Sequence, residues 1–328
     1  MDSNELDNII EQFNKTSVLV IGDLMLDRYL SGTMSRISPE APAPLIDITS
    51  ESYVCGGAAN AIDTICTLGG KVFAVGVVGE DWFGKRLIKL LKHEDVDTKG
   101  VIEIKERSTT VKTRVLVEKQ QIIRLDQENR QAINESCTKS ILDYIHENIE
   151  RVDAIIISDY NKGVVTNTLL SGAINLAKKF EKPLVVYPKV EPFFDYKGVT
   201  IVIIDLEMAS STTGIRYINE TSIRNMGQWL LTHLECEFIL ITDEKEGMSL
   251  FEKKGNVTHV PSMVKEVRNV TGTADTVASV IVLSLAAGVT SMLNSTRLAN
   301  IAAGIILENP ERKTVTQEEL KRQITIIH

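Results

Sequence analysis

The sequence predicts an α/β domain, a mainly parallel sheet with helices on both faces and a β-rich lid standing outside it. Three observations carry that prediction. Short, continuous apolar runs recur along the chain, the first being Ser17-Val-Leu-Val-Ile-Gly22, and this is how buried parallel strands read. Segments with apolar residues at helical spacing alternate with these runs, as crossover connections require. Two other segments, residues 43–53 and 109–126, are rich in β-branched and apolar residues and are expected to lead into no crossover helix.

Leu6, Ile9, Ile10 and Phe13 share one face of a polar stretch, so the chain should open with a short amphipathic helix. It has no basic start followed by an apolar core, so no secretory signal is expected. Further strands are expected at residues 72–78, 154–158, 184–186, 200–204 and 238–242. Helices are expected at 58–68, 83–91, 137–149, 169–180 and 222–234. The polar break at residues 118–121 suits a hairpin turn within the second β insertion. The apolar stretch 277–289 is interrupted by Ser and Gly and is too short to cross a bilayer, which makes it a buried core helix. With no long linker or repeat, residues 1–328 are expected to form a single domain with lid insertions near 30–55 and 107–128.

Composition narrows the function. A formal charge of −8 argues against a sequence-independent nucleic-acid binder, which needs a basic face. Cys55, Cys66, Cys137 and Cys236 show no metal-ligand spacing and read as reduced thiols of a cytoplasmic protein. The five histidines form no pair at metal spacing, and no G-x-S-x-G elbow supports hydrolase chemistry.

The richest segment is Asn269-Val-Thr-Gly-Thr-Ala-Asp275, a Gly-containing turn that opens an apolar helix. The first turn of a helix presents unpaired N–H groups and partial positive charge, so it suits a phosphate. Asp275 there suits two roles, a helix cap or a base that takes a proton from an attacking hydroxyl. Gly22-Asp23-Leu-Met-Leu-Asp27-Arg28 reads as a loop at the carboxyl end of the first strand, where ligands of open α/β sheets bind. Asp27 could accept from two sugar hydroxyls, or simply be solvated. Gly56-Gly57-Ala-Ala-Asn60 suits a hinge, a close ligand approach or a plain turn. Gly76, Gly79, Asp81 and Gly84 join a strand to a helix without matching the dinucleotide fingerprint. The basic candidates are Arg36, Lys112, Arg114, Arg124, Lys162 and Lys189, the last two just after strand ends.

Together these segments resemble the ribokinase-like (PfkB) carbohydrate kinases over nearly the whole chain, and most closely the kinase domain of the D-glycero-β-D-manno-heptose 7-phosphate kinases. The resemblance rests on Gly22-Asp-Leu-Met-Leu-Asp-Arg-Tyr29, Ser35-Arg-Ile-Ser-Pro-Glu-Ala-Pro42, Gly56-Gly-Ala-Ala-Asn60, Ile122-Ile-Arg-Leu-Asp126, Ser158-Asp-Tyr-x-Lys-Gly163 and Gly247-Met-Ser-Leu250. It implies a Rossmann-like three-layer sandwich with a protruding β lid, ATP as donor and Mg²⁺ on the phosphates with no direct protein ligation. It implies Asp275 as base and Gly272, Thr273 and Ala274 as anion hole. Asp27, Gly56, Gly57, Asn60, Arg124 and Lys162 fall on the substrate side, and Asp205, Asn269 and Lys189 on the nucleotide and metal side. It further implies a sugar phosphate as acceptor and a place in lipopolysaccharide-core synthesis. Isolated ribbons with open edges should pair with those of a second copy, giving a homodimer through the lid, while charge and apolar length lead to no expected nucleic-acid or membrane partner. The second, nucleotidyl-transferring domain of many relatives is not expected within these residues.

The chain departs from the family pattern mainly on the nucleotide side. Gly-Ala-Gly-Asp is here Gly272-Thr-Ala-Asp275, and the preceding family Asp is Asn269. Asn-x-x-Glu falls on Asp205-Leu-Glu-Met208, and Asp-Pro-Lys-Gly on Tyr187-Pro-Lys-Val190. The loop at residues 308–313 lacks the family's glycines. Two expectations follow: an active sugar kinase, or a weak or inactive homologue that binds a sugar phosphate or a protein partner.

Overall fold

The computed structural model describes residues 3–188, 195–216, 219–264, 266–268, 270–309 and 314–327. Helix α1 (Ser3–Gln12) buries Leu6 and Ile10 completely and leads into β1 (Ser17–Gly22). Two long strands follow, β2 (Leu24–Ile37) and β3 (Pro44–Gly57), and then α2 (Ala58–Thr67). The alternating part continues with β4 (Lys71–Gly79), α3 (Trp82–His93) and β5 (Asp97–Ile104). A hairpin, β6 (Thr110–Val117) and β7 (Gln120–Gln127), interrupts it. Alternation resumes through α4 (Glu135–Asn148), β8 (Ala154–Asp159), α5 (Asn167–Lys179), β9 (Leu184–Pro188), β10 (Ile201–Asp205), α6 (Leu206–Thr213), α7 (Glu220–Leu234) and β11 (Phe238–Asp243). The last elements are β12 (Gly247–Glu252), β13 (Val257–Pro261), α8 (Thr273–Ala286), α9 (Met292–Leu307) and α10 (Gln317–Ile327).

Among the described residues, nine strands form the main sheet in the order β13-β12-β11-β10-β9-β8-β1-β4-β5. Pairings from β10–β11 across to β4–β5 are parallel, and β12 and β13 are antiparallel additions at one edge. Side chains alternate across a strand, so β1 feeds both faces. Val18 and Val20 pack into a core with α1, α2, α8, α9 and α10, while Leu19 and Ile21 pack with α4, α5 and α7. Helix α8 lies between α2 and α9 and is apolar on nearly every side, which explains the long apolar run read from the sequence.

The second sheet, ordered β3-β2-β6-β7, is the lid. Its hairpin turns through Glu118 and Lys119, both at positive φ (49° and 68°), a combination that matches the right-handed twist of the flanking strands. The structure corrects three expectations. The stretch read as a loop after β1 is mostly strand, so Asp27 lies within β2. The first insertion does lead into a helix, because β3 runs directly into α2. Strands β5, β12 and β13 were not expected: β5 opens on the polar run Asp97-Thr-Lys99, and β12 and β13 are short antiparallel strands whose apolar residues are interrupted by polar ones.

Candidate active site

The parallel strands bring Gly22, Asp159, Pro188, Asp205 and Asp243 to one edge of the main sheet. Two helices begin there without a side-chain cap. Helices α3 to α7 and α9 each start on Asp, Asn, Thr or Ser whose side chain accepts a backbone N–H. In contrast, α2 starts on Gly57 and α8 on Gly272, neither with a side-chain cap bond. Both glycines have positive φ, 54° and 84°, which a side chain would strain. At Gly57 a Cβ would also come within 2.6 Å of the Asp23 carbonyl oxygen. Backbone carbonyls take the first N–H of each helix, Ala58 N–H donating to Asp23 at 3.0 Å and Thr273 N–H to Val270 at 3.4 Å. Neither N-cap residue has a side chain to cover the rest of the turn.

The N-cap residue of α8 is Gly272, and Asp275 follows it three residues on. It lies within the first turn, 6% exposed, and its carboxylate reaches two other elements. Asn60 Nδ2, from the first turn of α2, donates to Oδ2 at 2.9 Å. The Tyr160 hydroxyl, just past β8, donates to Oδ1 at 2.8 Å. Burial and then the charge of Asp275 push the Tyr160 phenol well above its ordinary range, and burial followed by the same charge does so for Tyr187. Both tyrosines are therefore neutral.

Tyr160 sits on a loop organised by Asp23, a residue the sequence placed at the sheet edge without a task. The buried Asp23 carboxylate accepts the backbone N–H of Tyr160 (2.8 Å), Lys162 (3.1 Å) and Val164 (3.2 Å). Burial, reinforced by nearby Asp159, pushes its pKa up to about 6 against the pull of these donors.

Asp27 is 5% exposed and forms an ion pair with Arg114 at 3.0 Å. Gly56 allows this, because a Cβ there would lie 3.0 Å from the Asp27 carboxylate. The two glycines thus serve a close side-chain approach and a helix start, and Gly56 belongs to β3 rather than to a loop. Register places Asp27 opposite Lys112, and Lys112 opposite Asp126, while Tyr29, Arg114 and Arg124 form the neighbouring row. Register partners share a face, so one face of the lid carries this polar set. Lys162 Nζ is bound to Glu128 at 2.7 Å, and Lys112 and Arg130 join the same carboxylate. Burial raises the Glu128 pKa, but the bonds from Lys162, Arg130 and Lys112 outweigh it and bring it down to about 2. Arg124 is half exposed on β7 and bound to Asp126. Arg36 is exposed at the far end of β2, away from these residues.

Beyond the start of α8, a cleft of about 520 Å³ is lined by Tyr187, Asp205, Thr242, Glu244, Thr273 and Ala274, among others. Asp205 caps α6 by accepting the Met208 N–H at 2.7 Å. Thr273 Oγ1 and Asn60 Oδ1 are buried without a hydrogen-bond partner, and such atoms call for a ligand or water. Lys189 and Asn269 lie outside the described residues, as do residues 310–313 of the glycine-poor loop. The described residues hold no group of three or more His, Cys, Asp and Glu able to bind a metal. A larger hollow of about 1010 Å³ lies at the opposite end of the strands, near Leu184, Thr200 and Phe238, and contains none of these groups.

Comparison with known proteins bears on the family and the fold. The pfkB family carbohydrate kinases match residues 15–318. The bifunctional protein HldE of Geobacter sulfurreducens is 38% identical over 328 residues, covering 100% of this chain and 67% of that protein. Its counterpart in Geobacter metallireducens is 38% identical over 320 residues, covering 98% of this chain and 65% of that protein. The chain thus spans about two thirds of the length of these curated relatives. Phosphofructokinase-2 from Escherichia coli in complex with potassium superposes with a TM-score of 0.76 at 18% identity, covering 95% of this chain and 98% of that one. Ribokinase of Arabidopsis thaliana complexed with ribose and ATP gives 0.74 at 14% identity, covering 94% and 98%. The fold is therefore ribokinase-like.

Proposed function

The chain belongs to the pfkB family of carbohydrate kinases, and from that premise we propose that it transfers the γ-phosphoryl group of ATP to the anomeric hydroxyl of a heptose 7-phosphate. The observation that carries the reading is the Asp275 carboxylate, buried at the uncapped start of α8 and held by neutral donors from α2 and the β8 loop. A base in this place takes the acceptor's hydroxyl proton as the new O–P bond forms and the bond from Pγ to the β-phosphate oxygen breaks, releasing ADP. The backbone N–H groups around Gly272, Thr273 and Ala274 are suited to receive the phosphoryl oxygens.

The sugar is proposed to lie between Asn60, Gly56 and Asp27 under the polar face of the lid, with Arg114, Arg124 and Lys162 setting the charge around it. The nucleotide is proposed to fill the cleft beside Asp205. Asp205 and Glu207 line this cleft, and a divalent cation there would be held mainly by the nucleotide phosphates and waters. When bound, Mg²⁺ supplies charge neutralisation to the transferred phosphoryl. Such an activity belongs to nucleotide-heptose and lipopolysaccharide-core synthesis in the cytoplasm. Among the described residues, no helix is long and apolar enough to cross a membrane.

The test is ³¹P NMR of the chain with ATP, Mg²⁺ and heptose 7-phosphate, with other sugar phosphates as controls. An anomeric phosphate is expected, and Asp275→Asn should lower the rate by about 10²–10⁴-fold, the range for removal of a general base, while leaving sugar affinity in place. No transfer to any sugar phosphate and no ATP affinity at millimolar concentration would instead favour a ligand-binding homologue. The methyl of Ala274 in the cleft, where the resembled family has glycine, is the observation on that side.

We also propose that the lid pairs with that of a second copy. Six large apolar side chains of the lid (Met34, Ile37, Ile48, Ile122, Ile123 and Leu125) are 42–62% exposed, and open sheet edges of this kind favour pairing. Light scattering should report a dimer at micromolar concentration, and Leu125→Glu should convert it to monomer. A monomeric unmodified chain would remove the proposal.

A further inference from the structure

The two oxygens of Asp275 are engaged from different directions by different elements. Asn60 on α2 holds Oδ2, and Tyr160 on the loop after β8 holds Oδ1. Neither donor carries charge. A cation in the same place would draw down the proton affinity of a carboxylate strongly, whereas neutral donors orient it with a milder effect. Resting on the kinase reading above, we infer that Tyr160 is a positioning residue for Asp275, fixing the plane of the carboxylate and favouring its ionised form.

The placement of Tyr160 supports the role. Its backbone is fixed through the bonds that Asp23 accepts from residues 160, 162 and 164, so the phenol is delivered from a rigid loop. Burial together with the Asp275 charge keeps its proton on, so the hydroxyl remains a donor at neutral pH. The bond spans 115 residues of sequence and joins the β8 loop to the first turn of α8. Among the described residues, Tyr160 and, from the end of β9, Tyr187 feel the charge of Asp275. Asp27 on β2, paired with Arg114, also acts on Tyr160, and Asp23 accepts the Tyr160 backbone N–H. In transfer, the acceptor's O–H bond breaks and its proton passes to Asp275, while Tyr160 keeps its own.

Tyr160→Phe in the full chain removes the donor and little else. Turnover should fall about tenfold, as loss of one bond to a charged group predicts, with KM for ATP within about twofold. The acid limb of the kcat profile should move to higher pH, because a bond that favours the ionised carboxylate is gone. A second readout needs no turnover: the ¹³C-carboxyl titration of Asp275, its signal identified by its loss in Asp275→Asn. The midpoint should rise in Tyr160→Phe. In the unmodified sequence, 3-fluorotyrosine, a stronger donor, should move it down, which preserves the test if the Phe variant fails to fold. An unchanged carboxyl midpoint with an unchanged pH profile would overturn the inference and leave Tyr160 a packing residue. If the chain transfers no phosphoryl group, the kinase reading falls, and the carboxyl titration still decides whether Tyr160 controls Asp275.

Discussion

The two ends of the cleft at the sheet edge are built differently. On the side proposed for the sugar there are two bonded sets: Asp275 of α8 with Asn60 of α2 and Tyr160 of the β8 loop, and Asp27 of β2 with Arg114 of β6. On the side proposed for the nucleotide, the walls enclose an open space, a buried hydroxyl of Thr273 is unpartnered, and the Asp205 carboxylate is engaged in capping α6. Each side keeps one buried oxygen without a partner, Asn60 Oδ1 on the first and Thr273 Oγ1 on the second. The first is cross-linked between elements before any ligand arrives, whereas the second is mainly open space. Polar groups bonded across several elements resist displacement, because leaving any one of them buried and unpaired is costly.

The comparison is broken most severely by removing its foundation. Asp23→Asn keeps the shape of the side chain but replaces an acceptor oxygen by an amide donor that faces backbone N–H groups. We expect a loss of about 2 kcal/mol at neutral pH, because the remaining oxygen leaves one or two of the three backbone donors unsatisfied, and a loss of turnover through displaced Tyr160. Denaturant unfolding checks the first part. A variant as stable as the parent would show that the loop is held by other means.

The same variant has a pH signature. The Asp23 pKa is raised to about 6 in the fold from an ordinary value of 3.8, so the native state binds this proton more tightly than the unfolded chain. Its contribution to stability is therefore full below the unfolded value, declines as pH rises through the folded value, and is level above it. The deficit of Asp23→Asn relative to the parent should then widen from pH 7 towards pH 4. Glu128 has the opposite slope: its pKa is lowered to about 2, so its contribution is present above the ordinary carboxylate range and is lost as pH falls. A deficit that is constant with pH would mean that Asp23 is not perturbed.

The smallest effect is expected on the other side. Ala274→Gly removes a methyl from the cleft wall at the start of α8. ATP affinity by calorimetry should rise by up to about tenfold, equivalent to about 1.4 kcal/mol, offset in part by the lower helix propensity of glycine. No change would mean that the methyl does not limit phosphate approach, and the contrast between the two regions would then rest on the bonded network alone.

The sequence by itself determined the layered α/β architecture, since continuous apolar strands separated by amphipathic helices have few other ways to bury both sheet faces. It also marked the glycine turn at Gly272 that opens a helix, with the acid at Asp275, because glycine and local spacing encode backbone conformation directly, whereas Gly56-Gly57 read equally as a hinge, a ligand contact or a turn. Only the tertiary structure decided what those groups touch. Asp27 reads as a loop residue, yet it is a strand residue paired to Arg114, since a polar residue in a lid strand breaks the apolar pattern that announces strands. Asn60 and Asp275 are 215 residues apart, Tyr160 and Asp275 are 115 apart, and no local pattern records either bond. Asp23 gave no signal of its role, because a carboxylate that collects backbone N–H groups leaves its partners free to be any residue. Periodicity reports which face a residue turns inward, whereas a polar site depends on which distant segments those faces bring together.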